Sequence, residues 1–581
     1  MMRSVADRNL HTAVPAHGQS AAQKAAQFYQ SCLQIHSTGG EQEQREVKRL
    51  VATFGIHWPR LSNASNLLHI CFAISNVLGW APVMLFSMTR PGHILVTPAS
   101  FYYTVLATRR SMLRTGSGDR EYKRYFRLML SAFSQRNQSS AVLPYGDLLA
   151  LEAEVVPGLQ QAYTLDPVGF VENATLDDIV SLAGDAIPRS RWEDELRKLL
   201  KAADLDDSTE YSFTIDNVYF FEAFFKLCLK LGEPRMAYYV GWVAVQGWSL
   251  LTKPDMIRFY YPSYSEAADG HVLLCAVLAQ EYMGLAFYAN YIREQLSAED
   301  VGDVNALVRS VHESFRNGFR ASMAWKDFTA KSMLSLEKNT SSPSAAPLSF
   351  VSDAQEKPVD TLFYFFPDMS SNLLENAKGA AAARRATPAD TRMVNYRSNS
   401  TVRFYYVTRE ERFELLPVAL EPPFYSVQAP PAVKYGTLGA EIGDATAAVI
   451  FQKLRGADAD TRDRVGSEAL CVLNAQNPVA KALPASPHWS HISRWQLAER
   501  AMSLDAVLRA FLRATGGEQP RLDGFESLKG EQILFIFWCM AQCGVADGKH
   551  KCNDPLKLFS FFARAFECKA GSTMSTITEC I

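Results

Sequence analysis

Phe413–Gln452 reads FELLPVALEPPFYSVQAPPAVKYGTLGAEIGDATAAVIFQ. An alternating apolar run, suited to a strand, ends in the Pro-rich turn Glu421-Pro-Pro-Phe-Tyr425. A Gly-punctuated segment follows, Tyr435-Gly-Thr-Leu-Gly439, and a helix is expected to begin near Ala440. Taken alone, 440–452 is an ordinary Ala-rich packed helix.

Outward from this stretch the chain is mainly helical. Ala21–Gln34, Tyr122–Ser134, Asp147–Glu154 and Thr175–Ala183 carry apolar residues at steps of three and four. Ser190 reads as an Ncap followed by acids in the first turn. Tyr219–Leu231 is apolar on most faces and is expected to be buried. Cys275–Tyr291, Val304–Leu336, Leu497–Ala514 and Leu528–Cys539 continue the helical pattern. Strand-like text lies at 79–103 and 402–416. Lys338–Lys357 is rich in Ser, Pro and Ala and reads as a linker, and Lys378–Asp390 reads as a second loose stretch. The expected division is a disordered tail at 1–19, a helical lobe at 20–337, the linker at 338–357 and a second lobe at 358–581.

Composition bounds the function. The chain has 581 residues, 48% of them hydrophobic and 11% aromatic, enough to bury a large core. A net charge of −2 leaves no footprint for nucleic acid or an anionic membrane. The polar N-terminus holds no apolar signal-peptide core. The apolar run Leu67–Phe86 is interrupted by His69, Asn76 and a Gly79-Trp-Ala-Pro82 break, so it reads as a buried helix and then a strand, with no membrane span in this chain. Ten cysteines are scattered without CxxC pairs. Glycosylation triplets occur at Asn63, Asn137, Asn173, Asn339 and Asn399. No nucleophile elbow, P-loop or dinucleotide fingerprint is present.

The order of features in 413–452 resembles the centre of the neprilysin family of zinc metallopeptidases. There a strand, a PPFF or PPFY turn and an FGGIG segment lead into a helix carrying Gly-His-Glu-x-x-His. That motif works because positions i and i+4 share a helix face, so two imidazoles grip one zinc while the Glu handles the proton of the attacking water. The matching positions here are Asp444 and Ala448 for the histidines and Ala445 for the Glu. A methyl group neither ligates a metal nor takes a proton, and one carboxylate is not a zinc site.

Other motifs follow the family order from about residue 20 to the C-terminus, most specifically at 413–443 and 525–581. The family's third zinc ligand and its orienting Asp match Glu499 and Ser503. Its substrate-binding edge strand matches Arg403, Tyr405 and Tyr406, with Arg403 where the family has Asn. Its transition-state histidine matches Leu556. The pair His488 and His491 lies outside these positions and reads as an incidental loop pair. The resemblance implies disulfides Cys32–Cys275 and Cys471–Cys580. It leaves Cys539 and Cys568 without family partners unless they pair with each other, Cys543 or Cys552, and Cys71 and Cys228 as buried thiols.

The resemblance therefore implies a mainly α, two-lobed neprilysin-like architecture with small β parts, a helical covering lobe and a thermolysin-like C-terminal lobe around a central cavity. It implies an extracellular or cell-surface protein whose zinc site is lost, so no cofactor is expected. Two readings of different class stay open. In one the chain is a pseudopeptidase that binds peptides or an active relative. In the other it is a residual metalloendopeptidase using Asp444, Glu499 and a further ligand.

Overall fold

The computed structural model describes residues 2–574 apart from 39, 91, 115–118, 134–141, 166–170, 204, 207–208, 253, 262, 296, 322–356, 387–403, 408–411, 416, 456–491, 517–520, 544–547, 558 and 570. Helices dominate, as expected, and they form two compact units.

One unit contains residues 2–290 and 357–386 among those described. Its central helix is Glu233–Leu250, in which every residue from Met236 to Leu250 is buried. Gly232, at φ 84°, turns the chain into it, and Pro234 sits in the first turn where no amide donor is needed. Gly247 admits a neighbour that no other residue would: an added Cβ would stand 2.6 Å from the Trp80 ring. Trp242 and Trp248 of this helix are almost wholly buried, as are Trp58 and Trp192 in the same core. One buried carboxylate, Glu152, is satisfied from three sides. It accepts from Tyr122 Oη (2.5 Å), Trp242 Nε1 (3.0 Å) and Arg109 Nε (2.8 Å), as a buried charge must be.

The run Leu67–Phe86 resolves into the helix Leu67–Leu78, stopped by Gly79 in the left-handed region, and the strand β1 (Met84–Arg90). β1 pairs antiparallel with β2 (His93–Pro98), which runs parallel to β4 (Ser212–Ile215); β3 (Val171–Ala174) closes the sheet in the order β1-β2-β4-β3. No single helix among the described residues is long and apolar enough to cross a membrane. Ser265–Met283 and Leu285–Gln295 meet the length and apolarity together but bend by 102° at Gly284.

The other unit contains residues 291–321 and the described part of 404–574. Its helices Ala298–Ala321, Ala440–Arg455, Ile492–Thr515 and Gly530–Met540 share one core that includes Val304, Val311, Ile442, Phe451, Leu504, Val507, Leu534 and Trp538. A two-stranded ladder, β5 (Phe404–Val407) with β6 (Arg412–Leu415), packs its first strand against Ala440–Arg455.

Several expectations are corrected. Residues 1–19 are not wholly a disordered tail: Met2–His11 is a helix with Val5 and Ala6 buried, and the Asn9 amide donates to the Phe287 carbonyl (2.9 Å). The chain is not cut once at 338–357, because 291–321 packs with the C-terminal unit and 357–386 with the N-terminal one. The loose text at 378–390 is largely helix, Leu373–Ala386; its small residues Ala377, Ala380 and Ala381 bury on one face, and Ala is the best intrinsic helix former. Ser190 is not an Ncap, since that position falls on Pro188. Cys275–Tyr291 is two helices, broken at Gly284.

Candidate functional site

The helix Ala440–Arg455 is entered through a π-helical turn, Tyr435–Gly439, which continues Pro431–Lys434 without a break. Such turns widen a helix by one residue and recur at functional sites. Two glycines set how closely this segment is approached. An added Cβ at Gly436 would meet the Leu534 carbonyl oxygen at 2.6 Å. One at Gly443 would meet Ser503 Oγ at 2.6 Å and Val507 Cγ2 at 2.7 Å. The helices Gly530–Met540 and Ile492–Thr515 therefore lie hard against it.

This contact brings Asp444 to Arg500. The Asp444 carboxylate and Arg500 Nη1 form an ion pair of 3.1 Å, with both side chains largely buried. Arg500 is held from two further directions. Its Nε donates to the Lys551 carbonyl (3.1 Å), and its guanidinium lies over the Trp538 ring, 5.4 Å from the centroid. Burial raises the Asp444 pKa above the usual carboxylate value, and the Arg500 charge opposes that rise. The Ser503 hydroxyl also opposes that rise, and Arg500 Nη2 is buried with no hydrogen-bond partner among the described residues. The helix Gly548–Lys557, which supplies the Lys551 carbonyl, is tied to Gly530–Met540 by the disulfide Cys539–Cys552. The bridge joins the residue after Trp538 to the residue after Lys551, so it pins both groups that position the guanidinium.

The remaining positions are apolar or occupied. Ala445 is buried, and Ala448 is partly buried one turn beyond Asp444. Ser503 is fully buried. Leu556 belongs to the core, and the neighbouring Asp554 accepts from Lys557 Nζ (2.9 Å) and pairs with His550 Nδ1 (3.1 Å). Glu499 is partly buried, immediately before Arg500. Tyr405 and Tyr406 lie on β5, opposite Glu414 and Phe413 of β6. Arg403, the pair His488 and His491, Cys471, Cys580 and the triplets at Asn137, Asn339 and Asn399 lie outside the described residues. Asn63 and Asn173 are exposed.

Cys32–Cys275 is a disulfide, as the resemblance implies, and Cys71 and Cys228 are buried free thiols. Cys539 is not orphaned: it takes Cys552, a pairing that the family pattern does not supply.

Arg500 is the residue that sequence reasoning missed. The signal was present, because Leu497, Ser503 and Leu504 stand three before, three after and four after it on a helix, which places Arg500 on the buried face.

A family model described as peptidase family M13 matches residues 2–334. The chain belongs to peptidase family M13. Neprilysin-1 of Caenorhabditis elegans is 25% identical over 190 residues, an alignment that spans 28% of this chain and only 25% of that protein. Among solved structures, the zinc metalloprotease Zmp1 of Mycobacterium tuberculosis in complex with an inhibitor has a TM-score of 0.59 at 14% identity, covering 100% of this chain and 92% of its own. PepO of Lactobacillus rhamnosis has a TM-score of 0.62 at 13% identity, covering 100% and 93%. These establish the M13 fold. At the positions that the resemblance sets against the zinc helix, Asp444 is ion-paired and Ala445 and Ala448 offer only methyl groups, a donor set that does not fit zinc.

Proposed function

We propose that this M13 homologue is catalytically inactive and acts as an extracellular binder of peptides. One observation carries the reading: Asp444, which stands at a zinc-ligand position of the motif, is committed to Arg500. A fixed guanidinium supplies positive charge there but cannot ionise a bound water, so the nucleophile of a metallopeptidase has no source. A carboxylate already paired with a buried cation is also a poor third ligand, which disfavours a residual peptidase built on Asp444 and Glu499.

Binding needs less than catalysis. A strand edge recruits an extended peptide through main-chain hydrogen bonds, and β5 carries Tyr405 and Tyr406 beside the former catalytic helix. Disulfides at Cys32–Cys275 and Cys539–Cys552 and exposed triplets at Asn63 and Asn173 support an oxidising, secretory location.

The test is elemental analysis of the purified, non-reduced protein, together with hydrolysis of a mixed peptide library. We expect substoichiometric zinc and no cleavage above background, with peptide capture detectable in the same library. Chelator-sensitive hydrolysis in a preparation free of active relatives overturns the reading.

A further inference from the structure

Away from the candidate site, the helix Tyr264–Met283 carries His271 and Cys275 four residues apart, hence on one face. Cys32, from Ala21–Thr38, meets them there. His271 Nε2 stands 3.7 Å from Cys275 Sγ, and one ligand atom from each of the three residues lies within 4.8 Å of the others. All three side chains are at least 98% buried. We propose that this cluster is a redox-gated metal site: closed by the Cys32–Cys275 disulfide when oxidised, and a Cys2His site for a zinc-like divalent cation when reduced.

The spacing suits the ion. Tetrahedral zinc with Zn–S near 2.3 Å and Zn–N near 2.0–2.1 Å sets sulfur and nitrogen roughly 3.5 Å apart, so the imidazole already stands at about the ligand distance from one sulfur. Two thiolates, one neutral imidazole and one divalent cation sum to zero charge, which suits a buried position. A disulfide sulfur is not a thiolate, so the oxidised form offers one nitrogen and no site.

The exchange balances. A dithiol reductant breaks the Cys32–Cys275 bond, delivers two electrons and two protons, and closes to its own disulfide. The cation then displaces both thiol protons to solvent, forms two metal–sulfur bonds and takes the lone pair of His271 Nε2, leaving a fourth position for water or an added thiol. Because the ligands are buried, loading requires local opening or refolding in the presence of metal.

The full-length chain is reduced with a phosphine under anaerobic conditions, or refolded from reduced denaturant, and titrated with cobalt(II). We expect one cobalt more per chain than in the oxidised protein, with a thiolate-to-cobalt charge-transfer band that zinc abolishes. His271→Ala, which leaves disulfide formation available as a check on folding, should weaken that binding by at least about tenfold. Cys32→Ser should remove the band. A reduced chain that keeps its circular dichroism and shows no band overturns the proposal, as does a band of unchanged strength and affinity in both variants.

Discussion

At the scale of single residues, the feature on which the proposed reading turns is the buried Asp444–Arg500 ion pair. If the Asp444–Arg500 pair is a buried, coupled unit, removing one partner strands a charge. Asp444→Ala and Arg500→Ala should each cost about 3 kcal/mol in denaturant unfolding. The double replacement Asp444→Leu with Arg500→Met should fall within about 1 kcal/mol of the parent, since an apolar pair of similar volume avoids the desolvation. Single variants as mild as exposed-pair variants would contradict this picture. Building the family motif at the matched positions meets the same cation. Asp444→His, Ala445→Glu and Ala448→His put two imidazoles and a base on one helix face, but Arg500 still faces that site. Adding Arg500→Asn should tighten zinc by at least about tenfold, read by isothermal titration of the oxidised proteins. That the chain carries no His-Glu-x-x-His is legible in the sequence, because that motif has a fixed spacing. The Asp444–Arg500 pair is not, because an Asp and an Arg 56 residues apart on two helices leave no periodic mark.

Between elements, two glycines govern how near the helices come. Gly443→Ala should destabilise by about 1–3 kcal/mol, because its Cβ would strike Ser503 Oγ and Val507. Gly436→Ala should cost more than Gly443→Ala, since the obstacle is the Leu534 carbonyl, which cannot rotate aside as a serine hydroxyl can. Thermal unfolding of the two variants orders them. Non-reducing peptide mapping should find Cys32 with Cys275 and Cys539 with Cys552. Removing the second bridge, which spans 13 residues, should cost about 3 kcal/mol by the chain-entropy model. Long, strongly periodic segments such as Tyr122–Ser134 were legible as elements, and the strand-like text at 79–103 holds β1 and β2, although the helix from Ser100 begins inside it. The helix Leu373–Ala386 was hidden because Ala-rich text has little contrast between its faces, and only packing tells it from a loop.

For the molecule as a whole, acid stability offers a test with a definite sign. Burial, aided by the Arg316 charge, lowers the His312 pKa to about 4 from an ordinary 6.5. Between those values the unfolded chain binds a proton that the native protein refuses, so stability should fall as pH drops from about 6.5 to 4. Wild type should lose up to about 3 kcal/mol more than His312→Gln across that window, read by urea unfolding at each pH. Burial raises Asp444 and Asp505, which act in the opposite direction, so the difference between the two proteins is the quantity to compare. The first unit's two separate stretches of sequence also bear on how the chain is made. The first core includes Leu374, and the Lys24 ammonium donates to the Phe366 carbonyl at 2.6 Å, so that core stays incomplete until the segment 357–386 leaves the ribosome. At about 5–20 residues per second, the roughly 80 residues between 290 and 374 take several seconds to emerge, during which a largely made helical body waits with an apolar face open. Nascent chains stalled near residue 337 should therefore be chaperone-bound and protease-sensitive, and those stalled well past residue 400 should be resistant.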